Sequence, residues 1–380
     1  MKKASIVIGA NYGDEGKGTV VARLAADGTS TLNILTNGGS QRGHSILTRH
    51  GSTTYQHFGS ATCQGADSYY SRYYILNPIQ FCKEYGELVV KPARIYRDRR
   101  CRWTTPYDMM ANLIQEERLG RKASCGMGIW NTIRRCNSTP IVIFDEFMAD
   151  PERWTAYLQG VRQWYERQME IPASWRDTWS SDGVVSHFLR DCMFLQTMTE
   201  VADLAALGYE HLIFENGQGL LLKDTGRDTA DTTPSDTGIF YALLLSRELG
   251  IDDVTAHYVT RPYLTRHGDG HLMHQQPREL LSADIPEDRT NHYNDYQGAF
   301  RYGWLDIPDL YDRIRDDARG VKFELDITHC DEMDREQEFR RHFDVTNFHD
   351  TAMVETKEDR LTPPPLTPEK QGVNLDFGAS

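Results

Sequence analysis

Apolar residues in this chain fall into short runs separated by glycine-rich or charged segments. Ala4-Ser5-Ile6-Val7-Ile8 follows two lysines and leads into glycines, the pattern of a strand buried on both faces. A turn follows, and Thr19-Val20-Val21-Ala22-Arg23-Leu24 predicts a helix; Asn33-Ile34-Leu35-Thr36 predicts a second strand ending at Asn37-Gly38-Gly39. Strand–loop–helix–strand is the opening of an α/β fold: a P-loop-NTPase-like, mostly parallel central sheet flanked by helices, with helical insertions. Further strands are predicted at 141–144, 212–215, 254–259 and 322–327, and helices at 108–120, 151–169 and 195–207. On the last helix Leu195, Met198, Val201, Ala202 and Ala205 share one face. Residues 151–194, with Trp154, Trp164, Trp175 and Trp179, predict a helical insertion or cap on a single catalytic domain spanning 1–361. Pro363-Pro364-Pro365 and Pro368 make 362–380 an extended arm.

Composition narrows the function. The 380 residues, 39% hydrophobic, suffice for a large core. A net charge of −13 disfavours nucleic acid as a partner, although a phosphate needs only a local nest of amides and cations. Seven scattered cysteines without a C-x-x-C predict reduced thiols in a cytoplasmic protein, with no zinc site. No run approaches the roughly 20 apolar residues of a membrane span.

The most informative segment is Gly9-Ala10-Asn11-Tyr12-Gly13-Asp14-Glu15-Gly16-Lys17-Gly18-Thr19, placed between a strand and a helix. Its glycines admit a phosphate close to backbone amides at a helix N-terminus, and Lys17 adds a mobile positive charge. Asn11, Gly13, Glu15, Gly16, Gly18 and Thr19 are the candidate phosphate-binding positions. The spacing differs from the Walker pattern, and two acids lie inside the loop. Asp14 is therefore a candidate metal ligand, general base, or both.

Gly13-Asp14-Glu15-Gly16-Lys17-Gly18 resembles the GDEGKG signature of adenylosuccinate synthetases. By that resemblance Asp14 removes the purine N1 proton and binds Mg2+, and Lys17 holds phosphate. Asn37-Gly38-Gly39-Ser40-Gln41-Arg42-Gly43-His44-Ser45 is similar to GGHNAGHT, which implies that His44 is the general acid and that the Gly43 carbonyl faces Mg2+. Phe214-Glu215-Asn216-Gly217-Gln218-Gly219 resembles FEGAQG, placing Gln218 at the 6-oxygen. Thr233-Pro234-Ser235-Asp236-Thr237-Gly238 stands at the loop on the monophosphate, with Thr237 as its carrier. Ser124-Cys125-Gly126-Met127-Gly128 resembles the TTGRGIG loop, so Ser124, Cys125 and Gly126 are phosphate candidates. Arg134-Arg135 follows at the place of a pair whose first member crosses a dimer interface.

Tyr263-Leu264-Thr265-Arg266-His267-Gly268-Asp269-Gly270 resembles YSTRVGAG, and Gly303-Trp304-Leu305-Asp306 matches GWLD. The intervening loop reads Tyr296-Gln297-Gly298-Ala299-Phe300-Arg301-Tyr302 where the family carries four arginines. Arg301 is the candidate for the amino-acid carboxylate, with Thr265 and Arg266 beside it. The lost arginine that serves the ribose 2′-hydroxyl implies tolerance of deoxyribonucleotides. Thr328-His329-Cys330-Asp331 stands at the guanine-reading TKLD, leaving Asp331 to read the base of GTP, with ATP open.

A chain shorter than typical members and altered at the purine, ribose and aspartate positions resembles the phage branch of the family, which includes 2-aminoadenylosuccinate synthetases acting on dGMP in diaminopurine biosynthesis. The resemblance implies a cytoplasmic homodimer that condenses L-aspartate with a purine monophosphate, dGMP favoured, through a 6-phosphoryl intermediate, using Mg2+ and GTP or ATP. Alternatives are a housekeeping enzyme acting on IMP, a P-loop phosphotransferase or GTPase, and an inactive nucleotide-binding homologue.

Overall fold

The structure is a computed structural model. It describes residues 2–27, 30–120, 124–139, 150–223, 232–268, 270–286, 300–344, 346–350 and 353–361. The predicted strand 141–144, the arm 362–380, Asp269 and residues 296–299 of the altered loop lie outside the described residues.

The first apolar run forms β1 (Lys3–Gly9), and the central sheet continues in chain order with β2 (Thr31–Leu35), β3 (Asp67–Tyr70), β4 (Ile95–Arg97), β5 (Glu200–Val201), β6 (His211–Gly219), β7 (Asp253–Thr260), β8 (Phe323–Ile327) and β9 (Thr346–Phe348). Its nine strands lie in the order β9-β8-β7-β1-β6-β2-β3-β4-β5, and every pairing is parallel. β1 is thus central, with β7 on one flank and β6 on the other.

Alternation along β1 explains the layers. Ala4, Ile6 and Ile8 join Ala242 and Leu245 of the helix Phe240–Glu248 and Leu310 and Ile314 of the helix Ile307–Ala318. Val7 points to the opposite face, where it meets Val20 and Val21 of α1 (Lys17–Leu24). Both faces of a parallel sheet are therefore covered.

The aromatic stretch is helical: Pro151–Gln168, Arg176–Trp179 and Asp182–Met198. Asp150 caps the first of these, accepting from Glu152 and Arg153 amides at 3.1 Å, with proline at the first position. Leu158, Trp179, Phe188 and Leu195 close a second core over Trp103 and Tyr107.

The predicted helix 195–207 is corrected. The helix ends at Met198, and Val201 pairs with Arg97 at the sheet edge, 43% exposed. Asp203 then starts a separate turn, accepting from the Ala205 amide at 3.1 Å. The apolar spacing suited a helix, but an open parallel edge captured the β-branched end of it.

Beyond β9 the chain lies over the hairpin formed by His44–Thr48 and Gly51–Tyr55. The Val354 amide donates to the Leu47 carbonyl at 2.8 Å, and Arg49 pairs with Asp359 at 2.7 Å.

Candidate active site

In a parallel sheet the loops leaving the C-terminal strand ends share one edge, and ligands bind there. The loops after β1 and β7 carry Asp14 and Arg261, β6 carries Gln218 at its C-terminal end, and the hairpin that follows β2 begins at His44.

The loop after β1 turns through left-handed residues at Gly13 (φ 99), Asp14 (φ 60) and Gly16 (φ 83). A non-glycine residue there is uncommon outside Asn and Asp, and such conformations concentrate at functional sites. Neighbouring elements hold the turn. Arg261 Nε donates to the Asp14 carbonyl at 2.8 Å, Thr328 Oγ1 to the Glu15 carbonyl at 2.7 Å, and Arg313 Nη2 to Asn11 Oδ1 at 2.8 Å.

Two expectations change here. Glu15, a candidate phosphate-binding position, turns its side chain inward: its buried carboxylate accepts from the Asn11 amide at 3.1 Å, the Gly13 amide at 2.7 Å and Lys17 Nζ at 3.0 Å. Lys17, 2% exposed, is locked in that ion pair rather than mobile. A Cβ on Gly9 would come within 2.5 Å of Glu15 Oε2 and 2.8 Å of Lys17 Nζ, so the pair requires glycine there. The Thr19 amide is also engaged, donating to the Gly16 carbonyl at 3.0 Å. Anion-binding potential is thus left to the amides ahead of Thr19 at the start of α1, whose N-cap Gly16 supplies no side-chain cap.

His44 opens the hairpin and stands against that first turn: a Cβ on Gly18 would lie 3.2 Å from His44 Cβ. Its Nδ1 lies 2.5 Å from Glu215 Oε1. Ser60 donates its amide (2.9 Å) and hydroxyl (2.6 Å) to the same carboxylate, and Arg42 Nη2 is 3.8 Å away.

Burial pushes the His44 imidazole down to about 4, against the opposing pull of Glu215. Burial alone would raise the Glu215 carboxyl, but Arg42 first, then His44 and Ser60, hold it at about 2. The resting pair is therefore a neutral imidazole donating Nδ1–H to a carboxylate. His44 Nε2 is buried with no hydrogen-bond partner among the described residues. In this state the imidazole presents Nε2 as a proton acceptor.

Gln218 also has positive φ (58°), and its Oε1 accepts from Gln41 Nε2 at 3.3 Å. A Cβ on Gly13 would lie 3.7 Å from Gln218 Cα, so Gln218 borders the phosphate loop. Thr237 is fully buried, and its hydroxyl has no partner among the described residues, as suits a residue awaiting a polar ligand. Its loop is tied in by Asn216 Nδ2, which donates to the Thr237 and Gly238 carbonyls, and by Ser235 Oγ, which accepts from the Gly38 amide at 3.2 Å.

Ser124, Cys125 and Gly126 approach the same place, with Cys125 Sγ 3.9 Å from the Gln41 carbonyl. The Gly126 amide is bonded to Ser124 Oγ at 3.2 Å, and burial pushes the Cys125 thiol up to about 11, so it stays neutral. Of the arginine pair, Arg134 is exposed, whereas Arg135 is buried in a 2.8 Å ion pair with Asp108.

A small antiparallel sheet, with Leu264–His267 pairing Phe300–Gly303, forms the far wall. Arg266 lies 4.9 Å over the Tyr12 ring of the phosphate loop, and Thr265 is buried. Arg301 is less free than its motif suggested, since it donates to Gln275 Oε1 at 2.8 Å and to the Gly270 carbonyl. Asp331 is exposed at the outer rim, next to the left-handed His329 (φ 61). His267 Nε2 stands 3.6 Å from Asp14 Oδ2.

Reading by motif missed Glu215, Arg42, Arg261 and His267. Glu215 had one legible signal: a carboxylate ending an apolar strand must be paired once buried.

The buried imidazoles set an acid limit on stability. His57 accepts the Asn77 amide at 3.0 Å, and burial holds it at about 3. Both His44 and His57 bind a proton near pH 6.5 only when unfolded, so unfolding takes up protons below that pH. His211, 1% exposed, is held at about 4 by burial in the same way. Urea midpoints are expected to fall steadily from pH 6.5 to about 4, with proton uptake by these three imidazoles on unfolding approaching three per chain. A flat midpoint over that range would contradict neutral burial of these rings.

A family model described as adenylosuccinate synthetase matches residues 6–340. The adenylosuccinate synthetase of Marinomonas sp. (strain MWYL1) is 27% identical over 333 residues, covering 80% of this chain and 72% of that protein. The one from Coxiella burnetii (strain RSA 331 / Henzerling II) is 24% identical over 333 residues, covering 80% and 71%. Among solved structures, fully ligated adenylosuccinate synthetase from Plasmodium falciparum superposes with a TM-score of 0.67 at 18% identity, covering 87% of this chain and 77% of that one. The cyanophage S-2L succinoaminodeoxyadenylate synthetase (PurZ), bound to dGMP and dATP as an energy donor, gives 0.62 at 12% identity, covering 91% of each. Both likenesses concern the fold. Among the described residues no helix is long and apolar enough to cross a membrane.

Proposed function

Given that this chain belongs to the adenylosuccinate synthetase family, matched over residues 6–340, we propose that it joins L-aspartate to C6 of dGMP, forming a 2-amino-deoxyadenylosuccinate. Members of the family are C–N ligases that consume a nucleoside triphosphate, and this chain is one of them. The observation that carries the finer reading is the His44–Glu215 pair, with Nε2 unbonded and the histidine's Cβ against the uncapped first turn of α1. A γ-phosphate at that turn meets an imidazole whose other nitrogen is already fixed. The altered ribose-side loop and the dGMP bound by the S-2L neighbour favour a deoxyguanylate over IMP.

In this reading Asp14 takes the N1 proton. Gln218 and His44 border the 6-oxygen as it attacks the γ-phosphate. The triphosphate's charge raises the His44 pKa from its resting value near 4, with the Glu215 carboxylate beneath to hold the imidazolium. The aspartate amine then displaces phosphate from C6. Thr237 and the loop 124–126 take the monophosphate, Arg134 reaches that of a partner subunit, and Arg301, Arg266 and Thr265 serve the amino acid. Asp331 reads the triphosphate base, GTP before ATP.

Among the described residues no three side chains are grouped to hold a metal ion. One carboxylate, Asp14, and the exposed Gly43 carbonyl nonetheless suit Mg2+, which keeps water and substrate phosphates as most of its ligands. When bound it offsets charge on the β- and γ-phosphates.

The test is an absorbance assay for succinylamino-purine formation with dGMP, GMP, dIMP and IMP, each with GTP or ATP. Aspartate-dependent product from dGMP is the expected result. Triphosphate hydrolysis that ignores both aspartate and monophosphate would replace this reading with a simple phosphohydrolase.

A further inference from the structure

A short connector, Gln56-His57-Phe58, joins the two halves of the His44–Glu215 pair. Tyr55, the residue before it, pairs with His44 across the hairpin. Ser60, two residues beyond it, donates its amide and hydroxyl to Glu215. The place of this connector therefore sets how His44 and Glu215 meet.

Its backbone is gripped on both edges. The Gln56, His57 and Phe58 amides all donate to one carboxylate, that of Glu84 on the helix Pro78–Glu87, at 3.1, 2.6 and 3.0 Å. The Gln56 and Phe58 carbonyls accept from Arg42 at 3.2 and 2.5 Å, and the His57 carbonyl accepts from Tyr74 at 3.2 Å. Asn77 caps the same helix by accepting the Gln80 amide at 3.2 Å, and its own amide donates to His57 Nε2 at 3.0 Å. Glu84 is 4% exposed and Arg42 3%, so helix, connector, Arg42 and Glu215 form one buried polar network in which a shift of one member is passed to the next.

We propose that Glu84 is a positioning residue for the His44–Glu215 pair, acting through the three consecutive amides of the connector. This rests on the ligase reading and deepens it. An aspartate at 84 keeps both acceptor oxygens but is one methylene shorter, so the amides must follow it or lose their partner. A glutamine keeps the length but brings one acceptor oxygen and an amino group to three N–H donors, leaving at least one amide opposed. Either change moves the connector, and a displacement of about 1 Å at a catalytic group costs up to about 10²-fold in rate.

The test measures kcat and KM with dGMP, aspartate and GTP in the full chain, in Glu84→Asp and Glu84→Gln, in His44→Ala, and in each Glu84 variant combined with His44→Ala. Urea midpoints set a temperature at which every variant is folded; should the glutamine variant not fold, the aspartate variant carries the comparison. The expected result is kcat lower by about 10–10²-fold with each KM within about twofold, and no further loss on the His44→Ala background. A purely structural role would lower the urea midpoint and leave kcat of the folded enzyme unchanged. Proton NMR adds a readout that needs no turnover: the hydrogen-bonded Nδ1–H of His44, identified by its absence in His44→Ala, should shift or broaden in the Glu84 variants. Rates within about threefold of the parent, losses that multiply with that of His44→Ala, or an unmoved Nδ1–H resonance would each overturn the inference. Absence of product from the unsubstituted chain with every monophosphate sinks the ligase reading, and the NMR comparison then still decides whether Glu84 positions the pair.

Discussion

Glu215→Gln is expected to lower kcat by about 10²–10⁴-fold, the range for losing an oriented acid–base imidazole. Glutamine keeps the shape but cannot stabilise an imidazolium at Nδ1, and it offers an N–H where His44 already donates. Because the carboxylate acts through His44, the two residues should behave as a unit. The double variant His44→Ala/Glu215→Gln is then no slower than His44→Ala alone. Stability also falls, because Arg42, 3% exposed, loses its buried counter-charge; removing one partner of a buried ion pair costs about 3–5 kcal/mol. Rates are therefore to be measured well below the melting temperature, beside urea midpoints. Losses that multiply in the double variant, or a Glu215→Gln rate within about threefold of the parent, would separate Glu215 from catalysis.

Asp14→Asn should cost at least about 10³-fold in kcat with little change in folding. Asparagine tolerates the left-handed conformation at φ 60 as aspartate does, so the turn and its Arg261 bond to the residue-14 carbonyl survive. On the proposed reading, what disappears is the base for the N1 proton and one oxygen for Mg2+. Triphosphate binding, which the proposed function assigns to the first turn of α1, should weaken far less than turnover. Equilibrium binding of a non-hydrolysable triphosphate beside initial rates makes the comparison. Turnover within tenfold of the parent would remove Asp14 from the proton-transfer role.

The chain's local patterns were good guides where the physics is local. The run 4–8 had to be a doubly buried strand, and the glycine-rich segment after it had to be a turn feeding a helix; both appear as Lys3–Gly9 and Lys17–Leu24. The same holds for the strands at His211–Gly219, Asp253–Thr260 and Phe323–Ile327, each flagged by its apolar core. Locality also explains the miss at 195–207, where residues that spacing alone assigns to a helix were claimed by a strand far away in sequence, Arg97 against Val201.

Motif and order along the chain were enough to determine the family, the strand–turn–helix that houses Asp14, and the candidacy of Lys17, His44 and Gln218. Tertiary structure alone decided what those residues face. Glu15 folds inward onto Lys17; Glu215 meets His44 across 171 positions; Arg261 reaches the Asp14 carbonyl across 247; and His267 stands on the opposite flank from Gln218. Parallel strands joined by long crossovers bring distant loops to one edge, so the partner of a buried charge is set by strand order, which no local pattern encodes.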